Sequence, residues 1–366
     1  MKLLVAGDFF VENPNEVRIA EDLKQIFNSC DYRIVNFEAP IYDDKYTNLP
    51  IKSGPRLMQA SSTINLLDDL NIDALTLANN HIMDQGENGF IKTIETLEKY
   101  SLLGAGTWEN AYKPLIIEND GVRIGIINLC ELQFGVLFDE WSQSVAMKGC
   151  AWINHPKVNS IISRTKQDVD YLIAVTHAGL EMVDVPLPEW RSRYREMIDV
   201  GCDAIIGTHP HVPQGYELYN GKPIFYSLGN FCFTSIEGFN SERWNIGEIV
   251  ELEVSKANLS FTVKGISFID NRISVVDAEV WASIIEDLNQ KLETKEYISH
   301  INEVCSSAMR NYWSLFNMGG LIHPDKELFK SIARHVFHKY SHVHLLNLIR
   351  CESHRWCISR ALNLNL

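Results

Sequence analysis

Residues 201–231 read GCDAIIGTHPHVPQGYELYNGKPIFYSLGNF. Two apolar runs stand inside this stretch, at 204–207 and 224–227. Each reads as a strand buried on both faces, the pattern of a parallel sheet covered by helices. Polar residues follow each run at once: Thr208-His209-Pro210-His211 after the first, Leu228-Gly229-Asn230 after the second. In an extended segment residues two apart point the same way, so the His209 and His211 rings are expected to face one site. Open α/β sheets build their sites at the C-terminal ends of strands.

The same arrangement recurs toward the N-terminus. The apolar run 2–6 ends at Gly7-Asp8. The run 33–37 contains Asn36 and leads into Glu38-Ala39-Pro40. The run 74–78 leads into Asn79-Asn80-His81, with Asp84 three residues on, and 171–176 leads into His177 with Glu181 behind it. Segments 86–100 and 188–200 have helical spacing, the former in Phe90, Ile94 and Leu97. Asn119-Asp120-Gly121 is a hairpin turn signal between 115–118 and 123–129. A late antiparallel pair is expected at 249–254 and 260–268.

From 283 onward long helical patterns dominate, including 284–292 and 327–340. This segment carries ten Lys/Arg and eight Asp/Glu, together with seven of the twelve histidines. The expected organisation is therefore an α/β domain over 1–282 and a helical C-terminal region over 283–366. The tail's near-neutral amphipathic helices offer a surface for oligomerisation. His335, His338 and His342 lie at helical spacing there, and Cys351, His354 and Cys357 repeat every three residues. Helical amphipathicity produces such spacing without any metal.

Composition narrows the function. The chain has 366 residues and a net charge of −14, with 33 Lys+Arg against 47 Asp+Glu. A general nucleic-acid binder needs a basic surface and is excluded. The 46% hydrophobic content excludes a disordered chain. No run approaches the ~20 apolar residues of a membrane span, and the start has no signal-peptide core, so neither membrane insertion nor export is expected. Eight scattered cysteines without zinc-ribbon pairing read as buried thiols of a reducing, cytoplasmic compartment.

The polar residues at the strand ends are nearly all oxygen or imidazole donors. Carboxylate, imidazole and amide together suit Mn, Fe or Zn better than Ca or Mg. They are too many for one tetrahedral zinc, and two ions sharing a bridging carboxylate is the economical arrangement. Singly, each has an ordinary reading: Asp8 as a turn or cap residue, His177 as a core histidine. Asp84 reads either as the partner that orients His81 or as a helix N-cap. Arg56, in the loop Lys52-Ser53-Gly54-Pro55-Arg56, could hold an anion bidentately or could be a solvated loop residue.

The stretches NFEAPI (36–41), LANNHIMDQGENGF (77–90), LLGAGT (102–107), HAGLE (177–181) and the 201–231 block resemble the CapA-type poly-gamma-glutamate capsule-synthesis family, which is related to the calcineurin-like metallophosphoesterases. The resemblance runs over 2–235. It implies a metallophosphatase-like four-layer α/β-β/α sandwich, here with a C-terminal helical appendage. It implies Asp8 and His211 at a first metal, Glu38 as the bridging carboxylate, and Asn80, His177 and His209 at a second metal. His81, with Asp84, would be catalytic, and Arg56, Asn36, Glu181 and Asn230 would meet substrate. The cofactor would be one or two divalent transition metals. The expected function is a metal-dependent hydrolase of a phosphoester or amide bond, acting on an anionic small molecule or polymer in capsule or cell-surface polymer synthesis. The other reading is a non-catalytic accessory protein of a synthesis or export assembly. One departure bears on this choice: phosphoesterases usually carry Asp-x-His on the first strand, and here Asp8 is followed by Phe9-Phe10.

Overall fold

The computed structural model describes residues 1–41, 52–137, 147–234, 242–317 and 343–364, with the side chains of 310–317 left aside. The first strand, Lys2–Phe10, is buried along nearly its whole length. It lies at the centre of a nine-stranded sheet, between Tyr32–Phe37 (parallel) and Ile246–Val254 (antiparallel). Ala74–Thr76 and Ser101–Leu103 continue the sheet on one side, Leu259–Ile269, Arg272–Val275 and Arg18–Ile19 on the other. The second sheet has six strands, in the order Tyr216–Tyr219, Lys222–Phe225, Ala204–Thr208, Tyr171–His177, Val122–Cys130 and Leu115–Asn119. Its four inner strands run parallel, as their unbroken apolar sequences require. The expected hairpin at 119–121 is present, with Asp120 and Gly121 at φ 52° and 73°.

The core shows the layering. Leu3, Val5 and Ile34 of the first sheet pack on Ile124, Ile126, Ile173 and Phe225 of the second. On the outer face of the first sheet, Phe9 and Phe37 meet Leu23 and Phe27 of helix Glu21–Asn28, together with Phe90 of helix Gly86–Thr96. On the outer face of the second, Leu172 and Ile205 meet Trp190 and Tyr194 of helix Pro188–Val200. This is the four-layer α/β-β/α order that the resemblance implied. Each fully buried phenyl side chain contributes roughly 1.5–3 kcal/mol.

The C-terminal segment is helical as expected, in Ala278–Glu293, Tyr297–Asn317, a run over 343–350, and Glu352–Leu364. It is not a body beside the core. The boundary at 282 falls inside helix Ala278–Glu293. Leu292, Tyr297, Ile301, Cys305, Leu348, Cys357 and Ile358 share one apolar cluster with Trp190 and Tyr194. The pattern 327–340, and His335, His338 and His342 with it, lies outside the described residues. All eight cysteines are buried and none forms a disulfide. Among the described residues no helix is long and apolar enough to cross a membrane.

Register positions the site. Asp8 sits opposite Asn36 on one neighbouring strand and opposite Asn230 on the other. Gly7 makes this possible: a Cβ there would stand 2.0 Å from the Gly229 carbonyl oxygen, which accepts the Asp8 N–H at 3.1 Å. On the facing sheet His177 lies opposite Thr208 at the strand ends. The C-terminal ends of both sheets thus meet at one place.

Candidate metal centre

Asp8 is fully buried and both its oxygens are engaged. Oδ1 accepts from Asn36 Nδ2 at 2.7 Å and Oδ2 accepts from the His209 backbone N–H at 3.0 Å. Glu38 follows the second strand, ahead of Ala39 at φ 137°, and is also fully buried. Neither of its carboxylate oxygens has a hydrogen-bond partner. Its Oε1 lies 3.6 Å from His177 Nε2 and 3.7 Å from His211 Nε2, too far for a hydrogen bond. Burial, with the Asp8 charge added, pushes the Glu38 pKa well above the carboxylate range.

The histidines are oriented from behind. His177 Nδ1 meets the Thr208 hydroxyl at 3.0 Å and the Asn36 Nδ2 amide donor at 3.3 Å, and the Thr208 hydroxyl donates to Thr176 O at 3.1 Å. His177 Nε2 is within hydrogen-bond distance of Asn80 Oδ1, at 3.0 Å. Burial and the neighbouring His209 and His211 hold the His177 pKa well below 6.5. The His211 Nδ1–H donates to Asn230 Oδ1 at 2.9 Å, which leaves His211 Nε2 toward Glu38. His209 Nδ1 is buried without a partner.

These residues fit divalent ions. Their donor atoms form three overlapping sets, each with donors within 4.8 Å of one another: Asp8–Glu38–His211, Glu38–His177–His209, and Glu181–His209–His211. Glu38 belongs to the first two sets. An unpartnered buried carboxylate among imidazole nitrogens is costly without a cation and well served by one.

His81 and Asp84 stand beside the cluster. Their Nδ1 and Oδ2 atoms are 2.6 Å apart. An ionised carboxylate only accepts, so the proton sits on Nδ1 and Nε2 remains for the pocket. Asp84 also accepts from Lys52 Nζ and from the Leu57 backbone N–H at 2.8 Å. It does not cap helix Gly86–Thr96, whose cap residue Gln85 makes no side-chain cap bond. A pocket of about 280 Å³ opens here, lined by Lys52, Asn80, His81, Glu181, His211 and His354 among others.

Several expectations change. His209-Pro210-His211 is not an extended segment: His209 and His211 have φ of 97° and 60°. Their rings, 6.0 Å apart, reach one site through a left-handed turn instead of strand alternation. Such strain persists where surrounding bonds over-determine it, as the Asp8 bond to His209 N does. Asn36 and Asn230 do not line the pocket; both are buried behind it, where Asn36 holds Asp8 and Asn230 holds His211. Glu181 lines the pocket, but Arg56 is exposed and absent from its wall, and Lys52 of the same loop is there instead.

Sequence reasoning missed Glu131 and Gln133, which reach His209, and the tail residues Asn347 and Leu348 on the pocket wall, and it ascribed His344 and His354, on the same wall, to helical amphipathicity. Glu131 carried one usable signal: it follows the apolar strand Val122–Cys130, as the other site residues follow theirs.

A four-layer fold that gathers carboxylates and imidazoles at its strand ends, around an unpartnered glutamate, defines a class with the composition of a divalent-metal site. The chain belongs to the family described as bacterial capsule synthesis protein PGA_cap, whose model matches residues 2–235. It is 32% identical over 233 residues to the PGA biosynthesis protein CapA of Bacillus subtilis, covering 61% of this chain and 60% of that protein. It is 30% identical over 211 residues to the capsule biosynthesis protein CapA of Bacillus anthracis, covering 56% and 51%. The chain thus spans between half and two thirds of the length of these curated relatives. A 5'-nucleotidase from Candida albicans overlays with a TM-score of 0.42 at 12% identity, covering 80% of this chain and 58% of that one, a likeness too loose to argue from.

Proposed function

We propose that this protein is a metal-dependent hydrolase of a phosphoester or amide bond, working in the synthesis of capsule, poly-gamma-glutamate or a related cell-surface polymer. The observation that carries this reading is Glu38, fully buried and unpartnered between the Nε2 atoms of His177 and His211. Asp8, Glu38 and His211 would hold one ion, and Glu38, Asn80, His177 and His209 a second. One or two ions of Mn, Fe or Zn would supply Lewis acidity and lower the pKa of water from 15.7 toward about 7.

The chain's own residues do the rest. Asp84 fixes the His81 tautomer and directs Nε2 into the pocket, where it exchanges a proton with the reacting group. Burial and the Lys52 charge lower the His81 pKa, and the ring would take the proton that the attacking water gives up and pass it to the leaving oxygen or nitrogen. Lys52, held at Asp84 and at Asn80 O (3.3 Å), sets a positive charge on the pocket wall that favours an anionic substrate. Asn36, Thr208 and Asn230 keep the donor atoms in place.

A second reading, a non-catalytic accessory role, draws on one observation. Where phosphoesterases carry the first-strand histidine this chain has Phe10, packed against Phe233 at 5.0 Å. That position supplies no ligand. The test is metal content of the purified protein, followed by His81→Ala and His209→Ala on a phosphoester and γ-glutamyl panel. Metal in the wild type and loss of hydrolysis in both variants support the hydrolase. A metal-free wild type, or hydrolysis unaffected by both changes, rejects it.

A further inference from the structure

Glu131 is 1% exposed and lies between the metal centre and the C-terminal helix. On one side its Oε1 is 3.2 Å from His209 Nε2, accepts from Gln133 Nε2 at 3.1 Å, and lies 3.4 Å from the Gly179 backbone N–H. On the other side its Oε2 accepts from the Ser353 backbone N–H at 3.0 Å, from Ser353 Oγ at 2.8 Å, and from Cys351 Sγ at 3.4 Å. Ser353 is the second residue of helix Glu352–Leu364, so the carboxylate caps that helix from 222 residues away in sequence. A helix N-terminus, with its free N–H groups and positive dipole end, stabilises such a charge. Gln133 Nε2, the Ser353 N–H and the Ser353 hydroxyl all donate to this carboxylate.

Glu131 Oε1 and Gln133 Nε2 both meet His209 Nε2, at 3.2 and 3.1 Å, so this ring nitrogen is engaged on the Glu131 side. The other ring nitrogen, Nδ1, is buried and unpartnered, which makes it the atom open to an ion. The helix is locked in place by further bonds. Trp190 Nε1 donates to Ser353 Oγ at 2.7 Å, and Glu352 accepts from the Leu132 N–H, Trp152 Nε1 and Asn154 Nδ2 at 3.0, 3.0 and 2.9 Å. The region matching the family model ends at residue 235, so this helix lies wholly beyond it.

We infer that Glu131 is a positioning residue that presents His209 Nδ1 to the metal, and that helix Glu352–Leu364 completes the centre by clamping Glu131 at its N-terminus. This rests on the metal reading proposed above. The C-terminal segment is then a working part of the site, and it also sets His354 on the pocket wall.

The test is a Co²⁺ titration of metal-stripped full-length protein, followed by calorimetry and by the visible absorption of the bound ion. Wild type, Glu131→Gln and Ser353→Ala are compared, with circular dichroism as the check on folding. Outer partners of ligating histidines typically contribute 10–100-fold to metal affinity. Glu131→Gln should weaken Co²⁺ binding by about that factor and shift the absorption bands. Ser353→Ala, which removes one hydroxyl and keeps the backbone bond, should weaken binding several-fold. It decides the matter if Glu131→Gln does not fold. Wild-type affinity and spectrum in the folded variants overturn this inference alone. A wild type that binds no Co²⁺ overturns the hydrolase reading together with it.

Discussion

His177 Nε2 and Glu38 Oε1 face each other across 3.6 Å in the buried end of both sheets, with no hydrogen bond between them. A gap of that width between a ring nitrogen and a carboxylate suits a cation shared by both. Stability should therefore depend on metal. Mn²⁺ or Zn²⁺ at 100 times its dissociation constant should stabilise the fold by about 2.7 kcal/mol, and a chelator should reverse this. Glu38→Gln removes an unpartnered charge-bearing group whose burial costs roughly 1–3 kcal/mol. The metal-free variant should melt no lower than the metal-free wild type and should lose the response to metal. Thermal melts with and without metal read both effects, and an undiminished response in the variant refutes this assignment.

Lys52 and Asp84 form a pair with side-chain exposures of 3% and 1%. Removing one partner strands the other as a buried charge, at a cost of about 3–5 kcal/mol. Lys52→Met and Asp84→Asn should each be strongly destabilising. The double variant should fall short of their sum by about 1–3 kcal/mol. Urea unfolding of the four proteins measures this coupling, and simple additivity would show that the pair acts as two independent side chains.

Glu248 is buried on strand Ile246–Val254 with both oxygens unpartnered, and burial raises its pKa well above 4.5. Below the unfolded pKa both states are protonated and the group costs nothing in charge. As pH rises past it the unfolded chain loses this proton first, so stability falls by up to about 1.4 kcal/mol per pH unit until the folded pKa is passed. Glu248→Gln removes this slope. The stability difference between variant and wild type should move in the variant's favour from pH 4.5 toward 7.5. A difference that stays constant across that range contradicts the argument.

Gly7 lets the Gly229 carbonyl approach Asp8. A Cβ at 2.0 Å from that backbone oxygen forces the strands apart. Gly7→Ala should cost about 1–3 kcal/mol in overpacking. It should also weaken metal binding, because Asp8 loses its register against Asn36 and Asn230. Denaturation and metal titration measure the two losses separately, and a variant as stable as wild type would show that the strands yield.

Most of the centre was legible in the sequence. Asp8, Glu38, Asn80, His81, His177, His209 and His211 each stand at or just beyond an apolar run, and such a run is a local property that composition and periodicity reveal. The four-layer order came from the resemblance, and core packing agrees with it. Local pattern could not say which side of a loop faces inward. Lys52, not Arg56, reaches the pocket, because the segment's path depends on Asp84.

The sequence by itself determined the central apolar strands and the polar residues that follow their apolar runs, since burial pattern and turn chemistry act over a few residues. Only the tertiary structure decided how the rings of His209 and His211 converge, because the left-handed turn is held by Asp8, 201 residues from His209 in sequence. It also decided that the C-terminal helices belong to the core. The contact of Ser353 with Glu131 depends on where packing sets a helix end against a strand end, and no local pattern in either segment encodes its partner.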